Sequence, residues 1–292
     1  MTAVLRTASV EQVAGHRLSL RRFARNRLAV AGLAVVVLFL LFCFVGPLLY
    51  STDQTHTDLT QVNLAPGGAH WLGTDAVGHD ELGRLMYGGK VSLLVGLAAG
   101  LLATVIGTLW GAVAGYAGGW VDAVMMRVVD AGIAIPALFV LLVVSAITTP
   151  GVPGLIVILG LVSWLVPSRL VRAETLTLKN RDYVLTLRAT GGTHGRAILR
   201  HILPNSVSTI VVAATFQVAD AILLVAYVSY LGLGVQPPST DWGGMLSAGL
   251  TAAYSGRWWL IVPPGLAIIL VVCAFNAIGD GLRDAFDVRG RG

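Results

Sequence analysis

The chain has 292 residues, of which 55% are hydrophobic and 12% charged, and its mean hydropathy is +0.78. Soluble domains carry about 25% charged residues, so this composition excludes an ordinary soluble protein and indicates an integral membrane protein. The net charge of +5 does not by itself indicate nucleic-acid binding, because membrane proteins concentrate Lys and Arg in their cytoplasmic loops.

The first segment, residues 1–27, is basic, with six arginines against a single acid, Glu11. The uncharged residues 28–50 follow directly. A cleaved signal peptide has an apolar region of about 7 to 15 residues, whereas about 20 residues are needed to cross the hydrocarbon core. We therefore predict a cytoplasmic N-terminal segment and a first transmembrane helix over 28–50.

Residues 51–90 are polar and rich in turn residues, which predicts an outer loop leading into an interfacial helix. The loop contains five residues of metal-binding types: His56, His70, Asp75, His79 and Asp80. Their spacing matches no zinc motif, so we expect no metal here. The two cysteines, Cys43 and Cys273, lie far apart in apolar runs, where a free thiol behaves as a small hydrophobic group.

Residues 91–283 are predicted to form a core of five further transmembrane helices. Regularly spaced glycines in 91–114 are typical of helices that pack closely. Residues 131–168 are uncharged and long enough for two crossings if 148–154 is the turn between them. Arg127 and Asp130, three residues apart near the start of the third helix, are expected to pair. The last two spans are predicted at 202–231 and 258–278.

Six spans place both termini, the turn between the second and third spans, and residues 169–204 on one side. Seventeen of the 20 Lys and Arg residues fall on that side, and only Arg84, Lys90 and Arg257 fall on the other. The positive-inside rule makes the basic side cytoplasmic. We therefore expect a multi-pass protein of a prokaryotic plasma membrane, with a cytoplasmic tail over 284–292.

One polar stretch, residues 181–205, interrupts the apolar sequence of the core. Asn180 or Asp182 is expected to cap a short helix, and Gly191-Gly192 to end it by supplying a left-handed conformation. Thr193 is expected to cap a second helix. The pattern predicts a compact helical hairpin projecting from the membrane, although a merely solvated group of charges is the alternative.

This stretch resembles the cytoplasmic coupling loop of ABC-importer permeases. Its ending, Arg200-His201-Ile202-Leu203-Pro204-Asn205, is similar to that of peptide permeases, and the spacing from Gly191 to Pro204 fits the motif. Three further segments carry the resemblance: 51–90, 115–122 and 232–238. In the first of them His79 stands where the family usually has Arg. The chain departs from the family at Leu185-Thr186-Leu187, where the family has Glu-Ala-Ala, so the acidic residue is missing.

The resemblance implies an all-α membrane protein of six transmembrane helices with the type I ABC importer permease fold and a cytoplasmic coupling helix. The chain would be the smaller of two permease subunits that import di- or oligopeptides, with nickel complexes or haem as alternative cargo. The implied partners are a second homologous permease subunit, two ATPase subunits or domains, an extracytoplasmic substrate-binding protein and the lipid bilayer, without nucleic acid or cofactor. The implied ATPase-coupling residues are Asp182, Tyr183, Arg188, Ala189, Gly191, Thr193 and His194.

The missing acid bears on Arg188, because a Glu at position 185 would lie three residues before it on the same helix. Without that partner, we expect Arg188 to be free to reach a docked ATPase. Leu185 and Leu187 are expected to add apolar area to the docking face.

Asp220 is the only charged residue well inside a predicted span. A lipid-facing acid at this depth costs several kcal/mol, so such residues face a bundle interior or an aqueous cavity. Asp220 is therefore expected to line the translocation path, where it would contact a peptide amine or a cation, or to be hydrogen-bonded at the subunit interface or kept protonated. Gln217, one turn earlier, is expected to share its face.

Two other classes of protein fit the sequence less well. A secondary transporter would show internal repeats, discontinuous helices and several intramembrane ionisable groups, whereas only Asp220 qualifies here. A membrane enzyme would show His, Asp or Glu clustered at one membrane depth. The sequence contains no phosphate-binding loop, nucleophile elbow or H-E-x-x-H pair, so we expect no ATP hydrolysis by this chain itself.

Overall fold

The computed structural model describes residues 21–55 and 57–286, and within these ranges all the regular elements are helices. Most of the predicted N-terminal segment and of the predicted tail lies outside the described residues, as does His56. The α-helices are α1 Arg27–Phe44, α2 Gly46–Leu49, α3 Glu81–Ala117, α4 Gly119–Ala134, α5 Ala137–Thr148, α6 Val152–Ser163, α7 Leu165–Leu178, α8 Asp182–Ala189, α9 His194–Ala197, α10 Leu203–Asn205, α11 Val207–Tyr230, α12 Trp242–Ala253 and α13 Val262–Phe286.

Four helical segments are long and apolar enough to cross a membrane: α1, α3, α11 and the segment Trp258–Phe286, which contains α13. Two further crossings are reached if each bent pair of helices counts as one span. The pair α4 and α5 is bent by 77°, and the pair α6 and α7 by 46°. The all-helical prediction is confirmed, and the described chain accommodates up to six spans.

The bend between α4 and α5 follows from Pro136. A proline disfavours the helical conformation in the residue before it, and Ile135 is extended, with φ −96° and ψ 120°. α5 has 12 residues, which rise about 18 Å and fall short of the roughly 30 Å hydrocarbon core. α5 ends at Thr148 and α6 begins at Val152, so the predicted turn between the two crossings is confirmed.

α3 is the central element of the bundle. It has 37 residues and is about 55 Å long, and it packs against α6, α7 and α11. A Cβ added at Gly100 would lie 2.8 Å from the Val218 backbone, and one at Gly111 would lie 2.3 Å from the Ser168 carbonyl oxygen. Only glycine permits these approaches, which confirms the prediction of close packing in this helix.

The residues expected to form an interfacial helix are instead the first turns of α3. Asp80 caps this helix, since its Oδ1 accepts a hydrogen bond of 2.8 Å from the Gly83 amide. No proline follows in α3, so the helix continues without a break from Glu81 into the membrane-length segment.

The loop before α3 is held by its own side chains. His70 Nδ1 lies 2.9 Å from Asp80 Oδ2, and His79 Nδ1 lies 3.1 Å from Asp75 Oδ2. These contacts occupy His70 and His79, two of the histidines that the sequence offered as metal ligands. Within residues 21–55 and 57–286, no group of three or more His, Cys, Asp or Glu side chains fits a metal ion.

The bundle brings four separate parts of the chain to one end: the start of α1, the turn between α3 and α4, the polar stretch 181–205 and the last turns of α13. Lys179 Nζ donates a hydrogen bond of 2.8 Å to the Gly115 carbonyl. Gly281 of α13 packs directly against Ala29 of α1. α12 and the loop before α3 lie at the other end, where Trp259 Nε1 donates to the Thr74 carbonyl over 3.4 Å.

Candidate coupling site

The polar stretch begins with α8, whose N-cap is Arg181 in an extended conformation, without a side-chain capping bond. The predicted caps are therefore wrong. Asp182 is the first helical residue, where its charge suits the positive end of the helix dipole. The Asn180 side chain instead donates to the Leu176 carbonyl over 3.2 Å, which closes α7.

Two glycines end α8, as predicted, for two different reasons. Gly191 has φ +82° and open space around its missing Cβ, so it supplies conformation alone. Gly192 donates to the Leu187 carbonyl over 2.9 Å, and a Cβ at Gly192 would lie 2.5 Å from Leu187 Cγ. Glycine is thus required at position 192 because the Leu187 side chain lies too close for a Cβ, and the two glycines together end the helix in a compact turn.

The second arm starts at Thr193, whose Oγ1 accepts a hydrogen bond of 3.4 Å from the Arg196 amide, so the predicted cap is confirmed. α9 has only four residues and passes into a π-helical turn, Ile198–Ile202, and then into α10. Pro204 lies in the first turn of α10, next to the start of α11. The stretch therefore forms a hairpin whose second arm is continuous with a membrane-length helix.

A small apolar cluster joins the two arms of this hairpin to the bundle. Val184 of α8 is fully buried, as are Ala197 and Ile202 of the second arm. They pack with Tyr116 at the end of α3 and Leu178 at the end of α7. The cluster therefore anchors α8 to the ends of α3 and α7 and to the second arm.

Tyr116 is the residue that the sequence did not reveal as part of this site. Its ring meets the His194 ring edge to face, with centroids 5.5 Å apart, and His194 Nδ1 lies 3.3 Å from its hydroxyl. The Arg188 guanidinium lies over the same ring, 5.9 Å from the centroid. Arg188 lacks the acidic partner on its own helix, as the sequence indicates, but it is not free of contacts, because the face of Tyr116 lies beneath its guanidinium.

The outer face of α8 is exposed and mixed in character. Tyr183 is 41% exposed and Leu185 is 46% exposed, while Asp182, Arg188 and Ala189 are exposed as well. Across 181–205 the sequence has four arginines and one acid, so this face is basic.

Leu187 was expected on the same face, and that expectation is wrong. Its side chain is partly buried against the apolar cluster and Gly192. The helical period explains the difference, since Leu187 lies three residues after the fully buried Val184 and Leu185 lies only one after it.

Two ion pairs fix α4 against α7 near the hairpin. Arg172 binds Asp122 through two hydrogen bonds, of 2.5 and 2.6 Å, and Arg169 Nη2 lies 2.5 Å from Asp130 Oδ1. The predicted pair between Arg127 and Asp130 is wrong, because α4 lies beside α7 and Asp130 reaches across to that helix.

Asp220 and Gln217 occupy different faces of α11. Asp220 is exposed, whereas Gln217 is 6% exposed and lies on the side that packs against α3 and α13. Three residues along a helix are about 60° apart around its axis, which is enough to cross from the packed face to the open one. Their expected common face is therefore wrong. The open face continues to Tyr227 and Tyr230, which are 49% and 40% exposed.

A bundle of membrane-length helices with an anchored polar hairpin at one end defines a polytopic membrane protein with an exposed basic surface at that end. The chain belongs to the family of binding-protein-dependent transport system inner membrane components, whose sequence model matches residues 107–292. Residues 17–66 match the N-terminal transmembrane domain of oligopeptide transport permease C.

Relatives match along almost the whole chain. A Brucella suis protein provisionally named as a peptide permease is 44% identical over 93% of this chain and 90% of its own length. The oligopeptide transport system permease protein OppC of Escherichia coli is 41% identical over 93% of this chain and 90% of its own length. The dipeptide transport system permease protein DppC of Bacillus subtilis is 39% identical over 91% of this chain and 83% of its own length.

Proposed function

We propose that the chain is one permease subunit of an ABC importer for di- or oligopeptides, and that it does not itself hydrolyse ATP. The observation that carries this proposal is the hairpin. Its helix α8 is exposed on its outer face, and Val184 packs it against the ends of α3 and α7 and against the second arm. Relatives named as dipeptide and oligopeptide permeases support the choice of cargo.

The proposal requires four further components: a second permease subunit, two ATPase subunits or domains and an extracytoplasmic substrate-binding protein. The ATPase docks on the outer face of α8, where Tyr183 and Leu185 supply apolar contact and Arg188 supplies charge. Its movement on ATP binding and hydrolysis is passed through Val184 and Tyr116 to the ends of α3 and α7. The second arm passes the same movement into α11.

The hairpin end of the bundle is cytoplasmic in this proposal, together with both chain termini. The support is the distribution of Lys and Arg, 17 against three, which follows the positive-inside rule. Single-cysteine labelling in a variant lacking Cys43 and Cys273 tests it. Cysteines placed at the exposed positions Thr190 and Thr57 should react from opposite sides, and reaction from the same side would contradict the orientation.

Asp220 faces the translocation path, which forms between the open face of α11 and the second permease subunit. The support is physical: the acid is exposed on a membrane-length helix, and an acid in contact with lipid there would cost several kcal/mol. Among residues 21–55 and 57–286, none encloses its side chain.

The transport assay uses the complete complex in proteoliposomes, with the binding protein outside and a labelled dipeptide or oligopeptide as cargo. ATP-dependent uptake is the expected result. Uptake of a nickel complex or haem, with no uptake of any peptide, would contradict the cargo while leaving the permease assignment in place. ATP-independent uptake by this chain without its partners would contradict the permease assignment itself.

A further inference from the structure

A large cleft of about 1010 Å³ opens at the hairpin end of the bundle, beside the start of α8, where Asp182 and Tyr183 line it. It is walled by α7, the start of α8, the first turns of α11 and the last turn of α13. Ligand sites in proteins commonly enclose about 300 to 1,000 Å³, so the cleft has room for a short peptide.

Four charged side chains line the cleft, two of each sign: Glu174 and Asp182, Arg181 and Arg283. None of the four side chains forms a hydrogen bond or an ion pair with another residue in the part of the chain that the structure describes. Other charges nearby do pair, as Asp130 does with Arg169. Among the described residues, the cleft thus presents two carboxylates and two guanidinium groups without a partner, which suit a cation and an anion respectively.

The remaining lining suits the body of a peptide. Ser208 and Thr209 offer hydroxyl groups that can bond to peptide amides and carbonyls. Val212 and Phe216 provide an apolar wall for side chains.

The cleft is continuous with the open face of α11. Thr209, Val212 and Phe216 line the cleft at helical spacing, and Asp220 follows Phe216 by four residues, on the same side of the helix. A molecule that leaves the neighbourhood of Asp220 toward the hairpin would therefore enter the cleft.

We propose that this cleft is an exit site that binds a short peptide through both of its free termini. The peptide amine binds Glu174 or Asp182, and the peptide carboxylate binds Arg181 or Arg283, for which Arg is suited by its forked donors. The inference rests on the proposed function, and it adds a peptide site between the membrane path and the coupling hairpin.

The test is protection of a cysteine in the assembled complex, without the binding protein and in a background lacking Cys43 and Cys273. Thr209→Cys reports on the cleft, and Thr190→Cys, exposed on the hairpin, serves as the control. Trialanine is the probe. The control peptide is trialanine with an acetylated N-terminus and an amidated C-terminus, which has the same three residues without the terminal charges. Trialanine should slow alkylation at position 209 and not at 190, and the blocked peptide should slow neither.

Charge variants make the test specific. The quadruple variant Glu174→Gln, Asp182→Asn, Arg181→Gln, Arg283→Gln, which neutralises every charged residue that lines the cleft, should raise the half-protecting concentration of trialanine at least about tenfold. That ratio corresponds to loss of one charge-assisted hydrogen bond. Arg196→Gln, an exposed arginine outside the cleft, should not raise that concentration.

Three results would overturn the inference: no protection by trialanine, equal protection by the blocked peptide, or a cysteine at position 209 that is unreactive in the complex whether or not peptide is present. The last would mean that a partner subunit fills the cleft. Peptide uptake by the same complex after the binding protein is added separates the two proposals, because normal uptake with no protection contradicts only the exit site.

Discussion

Tyr116 holds the two arms of the hairpin together, and its replacement should loosen α8 by an amount that the contacts define. Tyr116→Leu keeps an apolar side chain but removes the ring. The cation–π contact with Arg188 contributes about 0.5–1 kcal/mol, and the ring contact with His194 about 0.5–1.5 kcal/mol. Together they give about 1–2.5 kcal/mol, or roughly a 5- to 70-fold larger population of the open hairpin.

Hydrogen exchange of the amides in α8, measured on the assembled complex, reports this population directly. The α8 amides should exchange roughly 5- to 70-fold faster in Tyr116→Leu, and the number of peptides imported per ATP should fall. Tyr116→Phe retains the ring and loses only the hydroxyl 3.3 Å from His194, so its effect should be smaller, at most about tenfold.

Tyr230→Leu is the matched control, since Tyr230 is exposed at the opposite end of α11 and should leave exchange in α8 unchanged. If a folded Tyr116→Leu complex showed parental exchange rates in α8, the ring would not be the anchor, and the proposed transmission from α8 to α3 would fail.

Three further substitutions test other contacts. Gly192→Ala should lower the melting temperature by the equivalent of about 1–3 kcal/mol, because its Cβ would overlap Leu187, while Gly195→Ala, with open space around it, should not. Asp220→Asn should assemble but alter uptake; if Asp220→Leu both assembled and transported like the parent, the acid would have no role in the path. Burial raises the pKa of Asp241 from 3.8 to about 6 in the folded protein. The folded state therefore binds this proton more tightly than the unfolded state does, so the free energy of unfolding that it contributes is largest below about pH 4 and is lost as the pH rises toward 6. Thermal unfolding of Asp241→Asn should therefore depend less on pH across this window than that of the parent, and an identical dependence would refute the assignment.

Local signals in the sequence were sufficient to predict most of the structure of the hairpin. Gly191 supplies a left-handed residue at a helix end, and Thr193 caps the next helix, as their residue types predicted. The bend at Pro136 was also readable, because the residue before a proline avoids the helical conformation. The length of the surrounding apolar run, by contrast, predicts spans without indicating where they bend.

Contacts between distant parts of the chain could not be predicted from such local signals. Arg188 meets Tyr116, and Asp130 meets Arg169, across separations that carry no periodic pattern. The expected neighbour of Asp130 was the nearby Arg127, but packing of α4 beside α7 decided the pairing. The family resemblance identified the hairpin without revealing which side chain anchors it.

The central claim is that α8 couples ATP hydrolysis to transport, and peptide-stimulated ATP hydrolysis by the reconstituted complex, measured together with uptake, tests it most directly. Arg188→Glu reverses the charge of the docking face, and Gly191→Val forces a branched residue to φ +82°, so both should lose stimulation and uptake while retaining basal hydrolysis. Leu185→Glu, which restores the family's acid, should be mild. Normal stimulation and uptake in both Arg188→Glu and Gly191→Val would show that this hairpin is not the coupling element.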